Sequence, residues 1–463
     1  MPQPVLPASR EAYSAADHAT RRRDHHDVLP HQVRTAPAAT ADPAALSSVA
    51  IVGLGYVGLP TALGLYADDL TVVGIDSSVE KLASVAARTV DLSPVDHARL
   101  ESALDDDDRF TVTSAPDALR AVDAVVICVP TPLDEHRTPD LGAVRAACRT
   151  VVEHAVPGQL IVLTSTSYVG TTRDFLVEPL RARGLVAGRD IYVAFSPERI
   201  DPGVAAHTQR HTPRVVGGVS EPCTTRAAAL VGRLSAQVHV VSSAEAAELT
   251  KLYENTFRAV TLALANEFAD ICGTLELDPM EVTQAAATKP YGFLATYPGP
   301  GVGGHCIPCD PHYLLWQLRS SRTPAPLIEQ AMTAIAERPH KVVSRAVEVM
   351  SDLGKGLSGA RVLVVGVSYK PGVQDVRETP ALEIIPGLEA RGARVYYHDP
   401  LVPVIQLPDG RLMASYDPAA ESEWDLVLLH TVHPGRDYSW VARSETILDA
   451  TYRFESLPDR HVV

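Results

Sequence analysis

Residues 48–66 read SVAIVGLGYVGLPTALGLY. A short apolar, β-rich run ends at Val52, a glycine turn follows, and small and apolar residues then recur at helical spacing. TVVGID at 71–76 supplies a second strand, which makes this a βαβ opening. Inside it Gly53, Gly55 and Gly58 form G-x-G-x-x-G, with Tyr56 and Val57 filling the last gap. That pattern alone recurs by chance. Here it follows a strand and opens a helix, and Asp76 closes the next strand 18 positions past Gly58, the context a dinucleotide-binding unit requires. Gly53 would permit the tight turn, Gly55 would let the main chain approach a pyrophosphate, and Gly58 would let helix and strand pack closely. The helix N-terminus would attract the phosphates. Asp76 would accept from ribose hydroxyls and repel a 2′-phosphate, so NAD is expected rather than NADP. The alternative is a lobe whose glycines only turn the chain. Lys81 reads either as a solvated helix charge or as a ribose contact.

Outward from this unit, DAVVICVP, QLIVLTST and IYVAFSP continue a mostly parallel sheet with helical segments between the strands. Thr131 and Thr166 fall where strand carboxyl ends meet a ligand in an open parallel sheet, although each would also serve as a turn hydroxyl. From Ser243 a single long helix is expected, AEAAELTKLYENTFRAVTLALANEFADICGTL, and a further helical region covers roughly 326–352. ARVLVVGVSYKPG then starts a second strand-turn unit, followed by ARVYYHDP, DLVLLHT and ETILDA as strands. The expected class is α/β, with two Rossmann-like doubly wound lobes joined by a central long helix and helical domain. Its parts would be a flexible extension at 1–47, a dinucleotide lobe at 48–241, a helical centre at 242–353 and a second lobe at 354–463.

A chain of 463 residues suits several domains. A net charge of −15 argues against nucleic acid or an anionic membrane surface as partner. No run reaches the roughly 18 apolar residues of a membrane span. Six sparse cysteines and an opening segment without an apolar signal core lead us to expect a cytoplasmic, reduced protein.

Two of those cysteines sit three apart in GVGGHCIPCDP, 301–311. Asp310-Pro311 before HYLLWQL reads as an N-cap and first helical position, which would place Cys306 just ahead of a helix N-terminus and favour its thiolate. Asp310 would then either cap the helix or join the chemistry. On the long helix Lys251, Asn255 and Arg258 lie near one face, as a solvated surface or as donors to an oxyanion beside an active thiol. Glu198 in FSPERIDPG follows a strand and is a candidate acid or base, with Arg199 beside it. NAD to accept hydride, a thiolate to trap an aldehyde and donors for an oxyanion together describe a four-electron oxidation of a primary alcohol to an acid.

At these residues the chain resembles the UDP-glucose/GDP-mannose dehydrogenase family over about 48–455. The motifs are VGLGYVGLP, VPTPLDEHRTPDL, SPERIDPG, KLYENTFRAV, PGPGVGGHCIPCDP and GVSYKPGVQDVRETPALEI, in family order. The resemblance implies an NAD-binding lobe, a helical dimer-forming centre and a C-terminal lobe for a UDP-sugar. It implies Cys306 as nucleophile, with Lys251 and Asn255 positioning sugar and oxyanion. Asp310, Thr166 and Glu198 would serve the water and proton steps. Lys370 would contact the nucleotide sugar and Arg377 the cofactor, and Tyr291, Gly303, Arg199 and Arg258 would line the sugar site. GVGGHCIP, PGPG, SPERIDPG and TPLDEHRTPDL look like the subgroup oxidising UDP-N-acetylhexosamines for a polysaccharide. The UDP-glucose subgroup more often shows GGSC, then an aromatic residue, then a lysine near position 309. That subgroup supplies the first alternative, and a non-catalytic nucleotide-sugar or redox-sensing binder supplies the second.

Cys309 stands where an aliphatic residue is expected. It reads as a small, semi-buried substitute for an aliphatic side chain or as the partner of a reversible disulfide. No second C-x-x-C or paired histidine completes a zinc site, so no metal is expected.

Overall fold

The computed structural model describes residues 46–200, 208–418, 423–454 and 460–463. The expected extension lies, up to residue 45, outside the described residues, as does the end of SPERIDPG. The first lobe holds β1 (Ser48–Val52), β2 (Thr71–Ile75), β3 (Phe110–Thr113), β4 (Ala124–Ile127), β5 (Leu160–Leu163), β6 (Tyr192–Phe195), β7 (Arg214–Gly218) and β8 (Val238–Val240). They form one sheet in the order β3-β2-β1-β4-β5-β6-β7-β8. Neighbours run parallel except β6 and β7. Every residue of β4 and β5 is buried, as expected for strands covered by helices on both faces. Val52 pairs with Ile75 on one side and Ile127 on the other, so the carboxyl ends of β1, β2 and β4 are level. The glycine turn, Asp76 and Cys128 therefore meet at the point where strand order reverses.

The centre is built on the helix Ala244–Thr274, whose 31 residues span about 46 Å. Ser243 caps it by accepting from the Ala246 amide at 3.1 Å. The helices Asp310–Ser321 and Pro326–Asp352 pack along it.

The last lobe contains β9 (Arg361–Val365), β10 (Arg394–His398), the antiparallel pair β11 (Val404–Gln406) and β12 (Leu412–Ala414), then β13 (Leu426–Leu429), β14 (Ile447–Asp449) and β15 (Arg460–Val462). Its main sheet is parallel throughout, in the order β10-β9-β13-β14-β15. The β11–β12 pair was not anticipated, although Asp409-Gly410, with Gly410 at φ 86°, is its turn signal.

The two lobes share one device. In the first, Gly53 has φ 94°, a Cβ there would lie 2.5 Å from the Cys128 carbonyl oxygen, and the Leu54 amide donates to Asp76 Oδ2 at 2.8 Å. In the last, Gly366 has φ 78°, a Cβ would lie 1.9 Å from the Thr431 carbonyl oxygen, and the Val367 amide donates to Asp399 Oδ2 at 2.8 Å. Only glycine fits either place.

The carboxylates differ in what else they hold. Asp76 also accepts from the Ser78 amide at 2.9 Å and pairs with Lys81 at 3.2 Å. Asp399 also accepts from the amides of Ser368, Leu401 and Val402 and from His433 Nε2 at 3.1 Å. His433 Nδ1 accepts from the Gly372 amide, so Nε2 carries the proton. Burial opposes ionisation of Asp399, but His433 and the amide donors hold its carboxyl below the usual range.

Candidate active site

At the first-lobe turn, a Cβ on Gly58 would lie 1.7 Å from the Gly53 carbonyl oxygen, so helix and turn touch main chain to main chain. A Cβ on Gly55 would meet nothing within 4 Å. Open space therefore lies over Gly55, next to the N-terminus of the helix Gly58–Tyr66, which Val57 precedes without a side-chain cap. These residues fit a dinucleotide's pyrophosphate. Asp76 fills three of a carboxylate's roughly four acceptor directions, leaving about one for a ribose hydroxyl. Lys81 is 40% exposed, and its ammonium lies 3.2 Å from Asp76, at the same corner as the expected ribose acceptor.

The thiol loop docks against the last lobe. The Gly304 amide donates to the Arg377 carbonyl at 2.9 Å, and a Cβ on Gly303 would lie 2.6 Å from the Glu378 carbonyl oxygen. Arg377 is bound to Asp375 at 2.6 Å and lies over the ring of Tyr56, 4.6 Å from its centroid. One arginine thus links the glycine turn, the thiol loop and the last lobe. Lys370 follows Ser368, whose hydroxyl donates to the Lys370 carbonyl at 3.0 Å.

Asp310 is 4% exposed and accepts a hydrogen bond from the Asn255 side-chain amide. The helix starts one residue earlier than expected: Cys309 is its N-cap, and Asp310 is already inside it. The Asp310 amide closes back onto the Cys306 carbonyl at 2.9 Å, so the turn is continuous and the carboxylate is free to face the long helix. Burial outweighs the Lys251 charge and the Asn255 amide and pushes the Asp310 carboxyl up to about 6. Lys251, one turn before Asn255, forms no ion pair or hydrogen bond with a described residue, and its charge acts on both Asp310 and Cys306.

Cys306 reverses an expectation. It is reachable by solvent yet surrounded by protein, as on the wall of a cleft. Burial first, then the Asp310 charge, push its thiol up to about 11, against the pull of Lys251 and Arg377. The resting group is a thiol, because a desolvated wall and a facing carboxylate outweigh a nearby helix start. Cys309 is buried, and its thiol is free.

Thr166 sits in a loop clamped from the centre. Glu248, one turn before Leu252, accepts from the amides of Gly170 and Thr172 at 2.6 and 2.8 Å and from the Thr172 hydroxyl at 2.6 Å. Gln317, on the helix that Asp310 begins, bonds both the amide and carbonyl of Val169 at 2.9 and 2.7 Å. Thr131 is buried beside Tyr313, whose hydroxyl donates to the Pro132 carbonyl at 3.4 Å.

Other candidates are placed differently. Glu198 is held in place: Arg214 pairs with it at 2.5 Å and the amides of Arg199 and Ile200 donate to it, so its oxygens have fixed donors. Arg199 pairs with Glu254 at 2.7 Å. Arg258 is exposed and does not share the buried setting of Asn255, since the helix rotates it outward. Tyr291 is exposed, with Lys289 over its ring.

A cavity of about 100 Å³ lies between the 298–301 segment and the strand ends of the last lobe. Tyr369, His430, Thr431, Thr451 and Arg453 line it. The sequence reading singled out none of these as site residues, yet Thr431 and Thr451 follow β13 and β14 at the edge where ligands bind open sheets.

Comparison with known proteins decides the family. Residues 47–235 match the NAD binding domain of the UDP-glucose/GDP-mannose dehydrogenase family, 245–335 its central domain and 363–454 its UDP binding domain. The chain belongs to this family. It is an NAD-dependent nucleotide-sugar dehydrogenase. Its family relatives include the UDP-N-acetyl-D-mannosamine dehydrogenase of Pyrococcus horikoshii, 34% identical over 82% of this chain and 92% of that one. The UDP-N-acetyl-D-glucosamine 6-dehydrogenase of Pseudomonas aeruginosa is 34% identical over 76% and 83%. A solved P. horikoshii UDP-D-ManNAc dehydrogenase superposes with a TM-score of 0.81 at 30% identity, covering 90% of this chain and 98% of that one. Among the described residues no helix is long and apolar enough to cross a membrane.

Proposed function

We propose that this dehydrogenase oxidises C6 of a UDP-N-acetylhexosamine to the carboxylate, by way of a thioester on Cys306. The buried Asn255–Asp310 pair carries the reading. It places a carboxyl titrating near 6 in the same turn as a reachable thiol and beside the Lys251 charge. Bound NAD supplies the hydride acceptor, two equivalents for each sugar. Ionised Asp310 takes the proton that Cys306 loses as its sulfur adds to the C6 aldehyde. Lys251 and Asn255 donate to the resulting oxyanion. Asp310 releases the Cys306 proton to solvent. After the second oxidation leaves a thioester, it accepts a proton from the attacking water and hands it to the departing Cys306 sulfur as the C–S bond breaks and the acid forms.

The N-acetyl assignment is supported by the relatives that carry such names and by the thiol-loop wording GVGGHCIP. One wall of the cavity, from Tyr369 to Arg453, belongs to the UDP binding domain, which supports its assignment to the nucleotide. Thr166, Thr131 and Arg377 serve the cofactor side in this reading. The partner in solution is a second copy of the chain: Leu249, Tyr253, Phe257, Leu264, Phe268 and Ile271 form an exposed apolar stripe along the long helix. Free thiols at all six cysteines suit the cytoplasm.

The test is NADH formation by purified protein given NAD and UDP-glucose, UDP-N-acetylglucosamine, UDP-N-acetylgalactosamine or UDP-N-acetylmannosamine. About two NADH per N-acetyl sugar supports the proposal. Turnover confined to UDP-glucose overturns the sugar and keeps the mechanism; about one NADH per sugar overturns the thioester. Light scattering of Phe257→Glu tests the dimer, and an unchanged mass removes the helix stripe as its interface.

A further inference from the structure

Arg338 is 1% exposed, the largest side chain of the described residues to be so fully buried, and none of its bonds reaches the thiol, Lys251 or the glycine turn. A buried guanidinium persists only where its donors are matched. Its Nε donates to the Gly299 carbonyl at 3.0 Å, its Nη1 to Asp270 at 2.7 Å and its Nη2 to the Tyr452 hydroxyl at 2.9 Å. Asp270 belongs to the long helix and also holds Lys341 at 2.6 Å. Gly299 lies in one wall of the cavity; Tyr452 sits between Thr451 and Arg453 in the other.

The surroundings of Arg338 fix both walls. The Gly299 amide donates to Asn266 at 2.9 Å, so both polar groups of that residue are gripped by central helices. Pro339, next along the helix, lies 3.6 Å from where a Cβ on Gly301 would stand. Tyr452 holds φ 59°, a left-handed conformation that a bulky residue adopts only when its surroundings impose it, and its hydroxyl donates onward to the main-chain oxygen of Val463.

We propose that Arg338 is a positioning residue that sets the separation of the two cavity walls, and thereby the affinity for the nucleotide part of the substrate. The inference rests on the cavity being the nucleotide site. Asp270 anchors the guanidinium to the rigid long helix, and its two remaining arms measure out one wall each.

The test uses the full chain with Tyr452→Phe, which removes one arm while keeping the ring, and with Arg338→Met. Binding of UDP and of NAD is measured by calorimetry, alongside kcat and KM. Tyr452→Phe is expected to weaken UDP and raise the sugar KM about fivefold to tenfold, because one bond to a charged group is lost. The NAD affinity stays the same and kcat changes less than about twofold. Equal loss of UDP and NAD binding, or unchanged UDP affinity in folded Tyr452→Phe, overturns the proposal. Arg453→Ala separates the two readings. Undiminished UDP binding there overturns the cavity as nucleotide site and the inference with it, whereas loss there beside no loss in Tyr452→Phe overturns the inference alone.

Discussion

Replacing Asn255 by leucine should move the acidic limb of the pH–rate profile, apart from any fall in its height. Asp310 titrates at about 6 because burial raises its carboxyl while two groups hold it down, the Lys251 charge and the Asn255 amide. A hydrogen bond to a buried charge is worth about 1.5–3 kcal/mol, and about 1.4 kcal/mol corresponds to one pH unit. Without the amide only Lys251 remains, and the limb should rise by about one to two pH units, to roughly 7 or 8. The working form is the carboxylate, so activity falls as pH drops through that value. The assay is the initial rate of NADH formation at low sugar concentration, where kcat/KM reports groups of the free enzyme. In the unaltered protein the limb should sit near 6. The reasoning fails if Asn255→Leu leaves the limb in place, or if Asp310→Asn retains one near 6.

Further outcomes follow from the same geometry. Asp310→Asn should stabilise the fold at pH 8 by up to about 3 kcal/mol and do little at pH 4, read from urea midpoints. The folded value lies above the unfolded one, so Asp310 contributes fully below about 4 and its contribution is lost through about 6; equal midpoint shifts at both pH values would contradict this. Gly55→Ala should keep its melting temperature but weaken NAD at least about tenfold, whereas Gly58→Ala should lose stability, since its Cβ would meet main chain at 1.7 Å. Inactivation by iodoacetamide should accelerate with pH to beyond 9 without levelling near 7, because the Cys306 thiol lies at about 11. Cys309→Val should stay within about threefold of full activity, and a larger loss would show that the second thiol takes part.

The first lobe was legible because its signal is local. Strand, glycine turn, helix and acid follow within 29 residues, and each glycine has a steric reason that a pattern can carry. The long helix was legible from its run without proline. The helix start after the thiol was misjudged by one residue: Asp-Pro is a strong cap signal, but the turn from Cys306 to Asp310 overrode it. The thiol's protonation depends on burial and on a carboxylate facing it, which no spacing encodes. Glu248, Gln317 and Arg338 were invisible for a related reason. Each acts on main chain far along the sequence, and in a string each is only a polar residue in a helix.

Asp76 and Asp399 occupy the same corner of two similar lobes, yet only one retains room for a guest. About four lone-pair directions are available to each, and Asp399 already faces five donors while Asp76 faces three. The last lobe has converted a recognition element into internal scaffolding, and whatever it holds must be read by other groups along its strand ends. Confusion between two kinds of nucleotide is thereby prevented inside one chain: the copy that could have competed for the dinucleotide has no acceptor left to offer its ribose.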